Sequence, residues 1–124
     1  MKKDFDNKNH QLVKLTARIK CFESAAQLTK LLSEKQLIRL RIIAWGEHVL
    51  VGRGTKGIFA AKDECPHARA PMSRGFITQF GDIVCPLHGY VFDIQTGKVL
   101  SGEQCADLLI YKLETEEDGV WLSK

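Results

Sequence analysis

Two short segments of this 124-residue chain each carry one cysteine and one histidine. They read Cys65-Pro66-His67 and Cys85-Pro86-Leu87-His88, with 17 residues between them. Four such side chains presented from two tight turns can hold one metal centre. The spacing Cys-x-His followed by Cys-x-x-His suits a 2Fe–2S cluster, with two thiolates on one iron and two imidazoles on the other. Each loop then gives one ligand to each iron. The same four side chains also make a tetrahedral zinc set, so a zinc-stabilised interaction module is the competing reading of the ligands alone. A single Cys or His is more often structural, and His10 and His48 read as ordinary polar residues. Cys21, on the apolar face of a predicted strand, reads as a buried free thiol. Cys105 reads as a packing residue, with shielding of the metal centre as the lesser option.

The residues around the ligands narrow the choice. From Cys65 the chain runs CPHARAPMSRG, and from Cys85 it runs CPLHGYVFDIQTG. This strongly resembles the Rieske ferredoxin family. Pro66, His67, Pro71, Ser73 and Gly75 match the first family loop. Pro86, His88, Gly89, Phe92, Asp93, Thr96 and Gly97 match the second. The resemblance implies that Cys65, His67, Cys85 and His88 ligate a Rieske 2Fe–2S cluster. It also implies a mainly antiparallel all-β fold, a Rieske-like sandwich or barrel with a small cluster-binding subdomain and one short helix. One departure stands out: Arg69 occupies a position where the family commonly has glycine.

The chemistry of such a site follows from charge. Two thiolates and two neutral imidazoles leave an oxidised cluster neutral, so an added electron meets less repulsion than in a four-thiolate site. Rieske potentials accordingly lie at about −150 to +300 mV. High-potential relatives carry an extra disulfide between the loops, but the matching positions here are Ala70 and Leu87. They also use a Ser and a Tyr to hydrogen-bond sulfur, where this chain has Tyr90 and Phe92. Fewer donors to sulfur leave the reduced charge less stabilised. The expectation is a soluble, low-potential cluster.

The elements that must position these loops are legible in the patterning. Val13, Leu15, Ala17, Ile19 and Cys21 alternate with polar residues as a strand does. Ser24-Ala25-Ala26-Gln27 is a capping box ahead of a short helix with Leu28, Leu31 and Leu32 on one face. Strands are predicted around Ile38–Ile42, Val49–Val51 and Ile58–Ala61. Short ones follow at Asp82–Val84 and Tyr90–Phe92. A final hairpin runs over Leu108–Leu113 and Val120–Leu122, turning at Glu117-Asp118-Gly119. Gly52-Arg53-Gly54-Thr55-Lys56-Gly57 matches the dinucleotide-binding pattern, yet a strand rather than a helix follows it, so it reads as a hairpin turn.

Composition sets the remaining bounds. The length suits one domain over residues 11–124, with the ligand loops within about 63–100 and a polar, disordered tail over 1–10. No apolar run reaches membrane-spanning length and no secretory leader is visible, which points to a cytoplasmic protein without membrane or nucleic-acid partners. The net charge is +3. Residues 1–60 hold 12 Lys/Arg against 5 Asp/Glu, and residues 61–124 hold 6 against 10. This asymmetry reads first as solvated surface, and second as a dipole that steers a redox partner. Trp45 and Trp121 read as packing residues rather than electron relays.

Together these features predict an electron-transfer protein, not a catalyst. Its role would be to pass single electrons from a reductase to a terminal acceptor such as an oxygenase. A small Rieske subunit of a larger reductase, resembling that of assimilatory nitrite reductase, is the alternative within the family.

Overall fold

The computed structural model describes residues 18–124. The tail expected over residues 1–10, and the part of the first predicted strand before residue 18, lie outside the described residues. The order of elements is β1 (Arg18–Phe22), α1 (Ala25–Glu34), β2 (Leu37–Ile42), β3 (Glu47–Gly54) and β4 (Gly57–Lys62), then β5 (Phe76–Ile77), β6 (Ile83–Val84), β7 (Val91–Phe92), β8 (Val99–Ser101), β9 (Ile110–Glu116) and β10 (Gly119–Ser123). They form a six-stranded sheet ordered β1-β10-β9-β4-β3-β2 and a four-stranded sheet ordered β5-β6-β7-β8. Every strand pair in both sheets is antiparallel. The fold is the all-β arrangement with one helix that the sequence predicts.

Side-chain alternation explains how the two sheets come together. In β3, Val49, Leu50 and Val51 are all fully buried, because the strand is covered on both faces. Leu50 points one way, with Leu37 of β2 and Phe59 and Ala61 of β4, into a core shared with Met72, Ile83, Phe92 and Leu108. Val49 and Val51 point the other way, with Ala60, toward Leu28 and Leu32 of α1 and Val120 and Leu122 of β10. The first core holds Cys65 and Cys85. The second holds the helix, which touches β1, β10 and β2 and so bridges both edges of the large sheet.

Local signals behave as their chemistry requires. Ser24 caps α1 by accepting the Gln27 N–H at 3.0 Å. The Gln27 side chain folds back, but it accepts the N–H of Glu23 at 2.7 Å, one residue before the cap. The glycine-rich segment is a hairpin: Gly54 pairs with Gly57, and Thr55-Lys56 makes the turn. The charge halves of the sequence are not halves of the molecule. β9, which carries Glu114 and Glu116, lies in the same sheet as β1 and β2, which carry Arg18, Lys20, Arg39 and Arg41, and this dissolves the simple dipole. Among the described residues, no helix is long and apolar enough to cross a membrane.

Candidate metal centre

The first ligand loop leaves β4 and the second joins β6 to β7. Both are built on the same frame. The Cys65 N–H donates to the carbonyl of Ala70 at 2.8 Å, and the Cys85 N–H donates to that of Tyr90 at 2.8 Å. The N–H four residues on donates back to the cysteine carbonyl, from Arg69 at 2.7 Å and from Gly89 at 3.2 Å. This ring puts the fourth residue after the cysteine in the left-handed region, with φ 73° at Gly89 and φ 59° at Arg69. Glycine takes that conformation freely, whereas a side chain costs roughly 1–2 kcal/mol. Arg69 therefore keeps the shape that glycine has in the second loop, and the substitution introduces strain without changing the turn.

A buried carboxylate clasps the first loop. Asp63, whose side chain is 0% exposed, pairs with Arg39 of β2 at 2.8 Å. It also accepts the backbone N–H and the hydroxyl of Ser73, each at 2.6 Å. The clasp ties the start of the loop to its end across ten residues and fastens both to the large sheet. The next constraint is Gly75, where a Cβ would lie 1.8 Å from the Val84 carbonyl oxygen. Only glycine lets the exit of the first loop lie against the strand that leads into Cys85.

These constraints bring the four predicted ligands into two pairs. Cys65 and Cys85 are 0% and 1% exposed and lie in the same hydrophobic core. His67 and His88 are exposed, with ring centroids 5.2 Å apart at 68°. Burial pushes the Cys65 thiol above its ordinary pKa, opposed by the backbone N–H groups of Ala68 and His67 directed at its sulfur and reinforced by the Cys85 sulfur. Metal binding must displace such a proton, and those N–H groups then face a thiolate. Among the described residues, no group of three or more His, Cys, Asp or Glu side chains is gathered closely enough to hold a single metal ion. A buried thiol pair and a surface imidazole pair are the ligand arrangement a two-iron cluster of mixed ligation requires, and the residues present fit that group.

The structure places the other singled-out residues elsewhere. Cys21 donates to the Val120 carbonyl at 3.3 Å beside the second core, and burial pushes its thiol up to about 11. Cys105 is half-buried against the core that holds Cys65 and Cys85. Trp45 packs edge-on against Tyr111, 5.6 Å between centroids. Trp121 lies beneath the Arg18 guanidinium at 4.4 Å. Two features escape a reading of the sequence. One is the Asp63 clasp, hidden in a Lys-Asp-Glu run that looks like solvated surface. The other is Tyr90, whose ring stacks on His67 at 4.0 Å and 6°.

Comparison with known proteins agrees with this geometry. A family model described as the Rieske [2Fe-2S] domain matches residues 20–112. A 4beta-methylsterol monooxygenase of Methylococcus capsulatus is 38% identical over 63 residues, covering 50% of this chain and 16% of that protein. The 3-phenylpropionate/cinnamic acid dioxygenase ferredoxin subunit of Escherichia coli K12 is 31% identical over 64 residues, covering 52% of this chain and 60% of that subunit. The match thus spans less than two thirds of either relative. Among solved structures, the ferredoxin of carbazole 1,9a-dioxygenase from Nocardioides aromaticivorans IC177 has a TM-score of 0.63 at 22% identity, covering 74% of this chain and 90% of that one. A complex of reduced oxygenase and oxidized ferredoxin in carbazole 1,9a-dioxygenase gives 0.63 at 26% identity, covering 72% and 89%.

Proposed function

The chain belongs to the Rieske [2Fe-2S] domain family, and from that premise we propose that it is a soluble, cytoplasmic one-electron carrier between a reductase and an oxygenase. Cys65 and Cys85 would hold the inner side of the cluster, and His67 and His88 the outer side. When bound, such a cluster supplies a one-electron couple at about −150 to +300 mV. The chain's own residues do the rest. Asp63 and Gly75 fix the loops, the hydrophobic core excludes water from the thiolates, and the exposed imidazoles form the edge that a redox partner meets.

The observation that carries this reading is the division of the ligands: thiols buried at 0% and 1% exposure, imidazoles at the surface on two loops of identical hydrogen-bond frame. Leu87 beside His88 is 58% exposed, which gives that edge an apolar contact for a transient partner. Likeness to ferredoxin subunits of dioxygenases and to a ferredoxin bound to its oxygenase supports an oxygenase as the acceptor and a separate protein as the catalyst.

An anaerobic potentiometric titration, read by EPR, tests the proposal. A reversible one-electron couple in the lower part of the Rieske range is expected, because Tyr90 and Phe92 replace hydroxyl donors to sulfur. A midpoint well above 0 mV would contradict the low-potential assignment, and the absence of any reversible couple would contradict the carrier role.

A further inference from the structure

The aromatic ring that follows the second loop lies flat on a ligand of the first. Tyr90 and His67 are separated by 4.0 Å between centroids with 6° between planes. That spacing and near-parallel alignment make a stack rather than an incidental contact. Tyr90 is itself held. Its backbone carbonyl closes the second loop on Cys85, and its ring packs against the core that contains both ligand cysteines.

A backstop completes the arrangement. Gly102 follows β8 with φ +132°, and a Cβ there would lie 2.7, 2.8 and 2.8 Å from Cδ2, Cε2 and Cγ of Tyr90. Near-equal distances to three adjacent ring atoms put that position over a ring face. His67 is not among the three nearest atoms, so Gly102 backs the face that His67 does not use. The tyrosine is therefore sandwiched between a bare stretch of backbone and the imidazole.

We propose that Tyr90, seated on Gly102, is a positioning residue that fixes the ring plane of His67 and shields one of its faces from water. This rests on His67 being a ligand of the cluster, as proposed above. An exposed histidine with free rotation would reach its iron in many orientations, and each lost rotamer costs binding free energy. A stack that fixes the plane removes that cost and slows ligand release. Shielding acts on the redox balance, because water at the imidazole stabilises the added negative charge of the reduced state. Removing the ring admits that water and shifts the balance toward the reduced form.

The test uses reconstituted holoprotein of the wild type and of Tyr90→Phe, Tyr90→Leu and Gly102→Ala. Two quantities are read: the rate of bleaching in excess iron chelator, and the midpoint by EPR titration. Tyr90→Phe keeps the face and is expected to stay within about twofold of wild type in both. Tyr90→Leu keeps apolar bulk without a face. Gly102→Ala keeps the tyrosine but pushes it off its seat. Both are expected to bleach about tenfold faster and to hold about tenfold more reduced form at a fixed potential, a rise of about 59 mV for one electron.

Leu and Ala variants that match wild type in both quantities would overturn the inference. So would a Phe variant as impaired as Leu, which would assign the role to the hydroxyl. If Tyr90→Leu fails to fold, Gly102→Ala decides alone. A wild-type protein that takes up no iron and sulfide would instead overturn the ligand assignment beneath it.

Discussion

Replacing Asp63 tests whether the first loop is held by its clasp. The carboxylate is fully buried and makes three contacts: the Ser73 N–H and the Ser73 hydroxyl, each at 2.6 Å, and Arg39 Nε at 2.8 Å. Hydrogen bonds to a charged group are worth about 1.5–3 kcal/mol each. Arg39 is 41% exposed and rehydrates when its partner is lost, so its share is discounted to about 1 kcal/mol at most. Asp63→Ala also leaves the Ser73 N–H without its acceptor. These contacts sum to about 3–7 kcal/mol, and the about 3–5 kcal/mol that breaking a buried pair from one side costs sets the expected loss. For a domain of this size about 1 kcal/mol lowers Tm by about 4 °C, so a drop of about 12–20 °C is expected. Ser73→Ala removes only the hydroxyl contact and is expected to cost about 1.5–3 kcal/mol. Thermal melts followed by far-UV circular dichroism, with cluster absorbance recorded on the same samples, measure both effects. An Asp63→Ala protein that melts within about 3 °C of wild type and keeps its colour would refute the clasp, since the three contacts could not then carry even 1 kcal/mol.

Three further outcomes follow from the same geometry. Arg69→Gly relieves a left-handed side chain and is expected to leave stability unchanged or raise it by up to about 1 kcal/mol, whereas Gly89→Ala costs about 1–2 kcal/mol; chemical denaturation measures both, and a clear loss in Arg69→Gly would contradict the shared loop frame. Asp93 is held below its ordinary pKa by the backbone N–H groups of Gln95 and Thr96. Its stabilising contribution is therefore complete above about pH 4 and lost as pH falls through its lower folded value. The urea midpoint of wild type should drop on that acid side more steeply than that of Asp93→Asn, and equal slopes would contradict it. Cys21, raised to about 11 by burial, is expected to alkylate far more slowly at pH 8 than a free cysteine and to accelerate toward pH 11. Peptide mass spectrometry reads this, and rapid labelling at pH 8 would show that the thiol is not protected.

Much of the site was legible because its information is local. Two Cys/His loops, their prolines and their glycines lie within a short stretch, and the ligand assignment needs no knowledge of the rest of the fold. The main strands and α1 were legible for a similar reason, since the alternation of Ile38, Leu40 and Ile42 with arginines, the apolar run Val49–Val51 and the Ser24 cap are short-range signals. The two-residue strands β5, β6 and β7 are too short for periodicity to register; β6 and β7 were anticipated through their place beside the second loop, whereas β5 and the three-residue β8 were not. Contacts across the chain were not legible. Asp63 meets Arg39 from a different strand, and Tyr90 meets His67 from the other loop. Arg69 could be recognised as unusual from the sequence, but its reason needed the backbone, where it shares a left-handed turn with Gly89.

The proposed ligands Cys65, His67, Cys85 and His88 should together hold a two-iron cluster. Optical and EPR spectra of anaerobically purified protein, before and after dithionite, test it most directly when iron, sulfide and zinc are counted on the same sample. A red-brown protein with two irons and two sulfides per chain is expected. It should give a rhombic EPR signal only when reduced, and that signal should be lost in Cys65→Ser and in His88→Ala. A colourless, EPR-silent protein with one tightly held zinc, refractory to reconstitution with iron and sulfide, would contradict it.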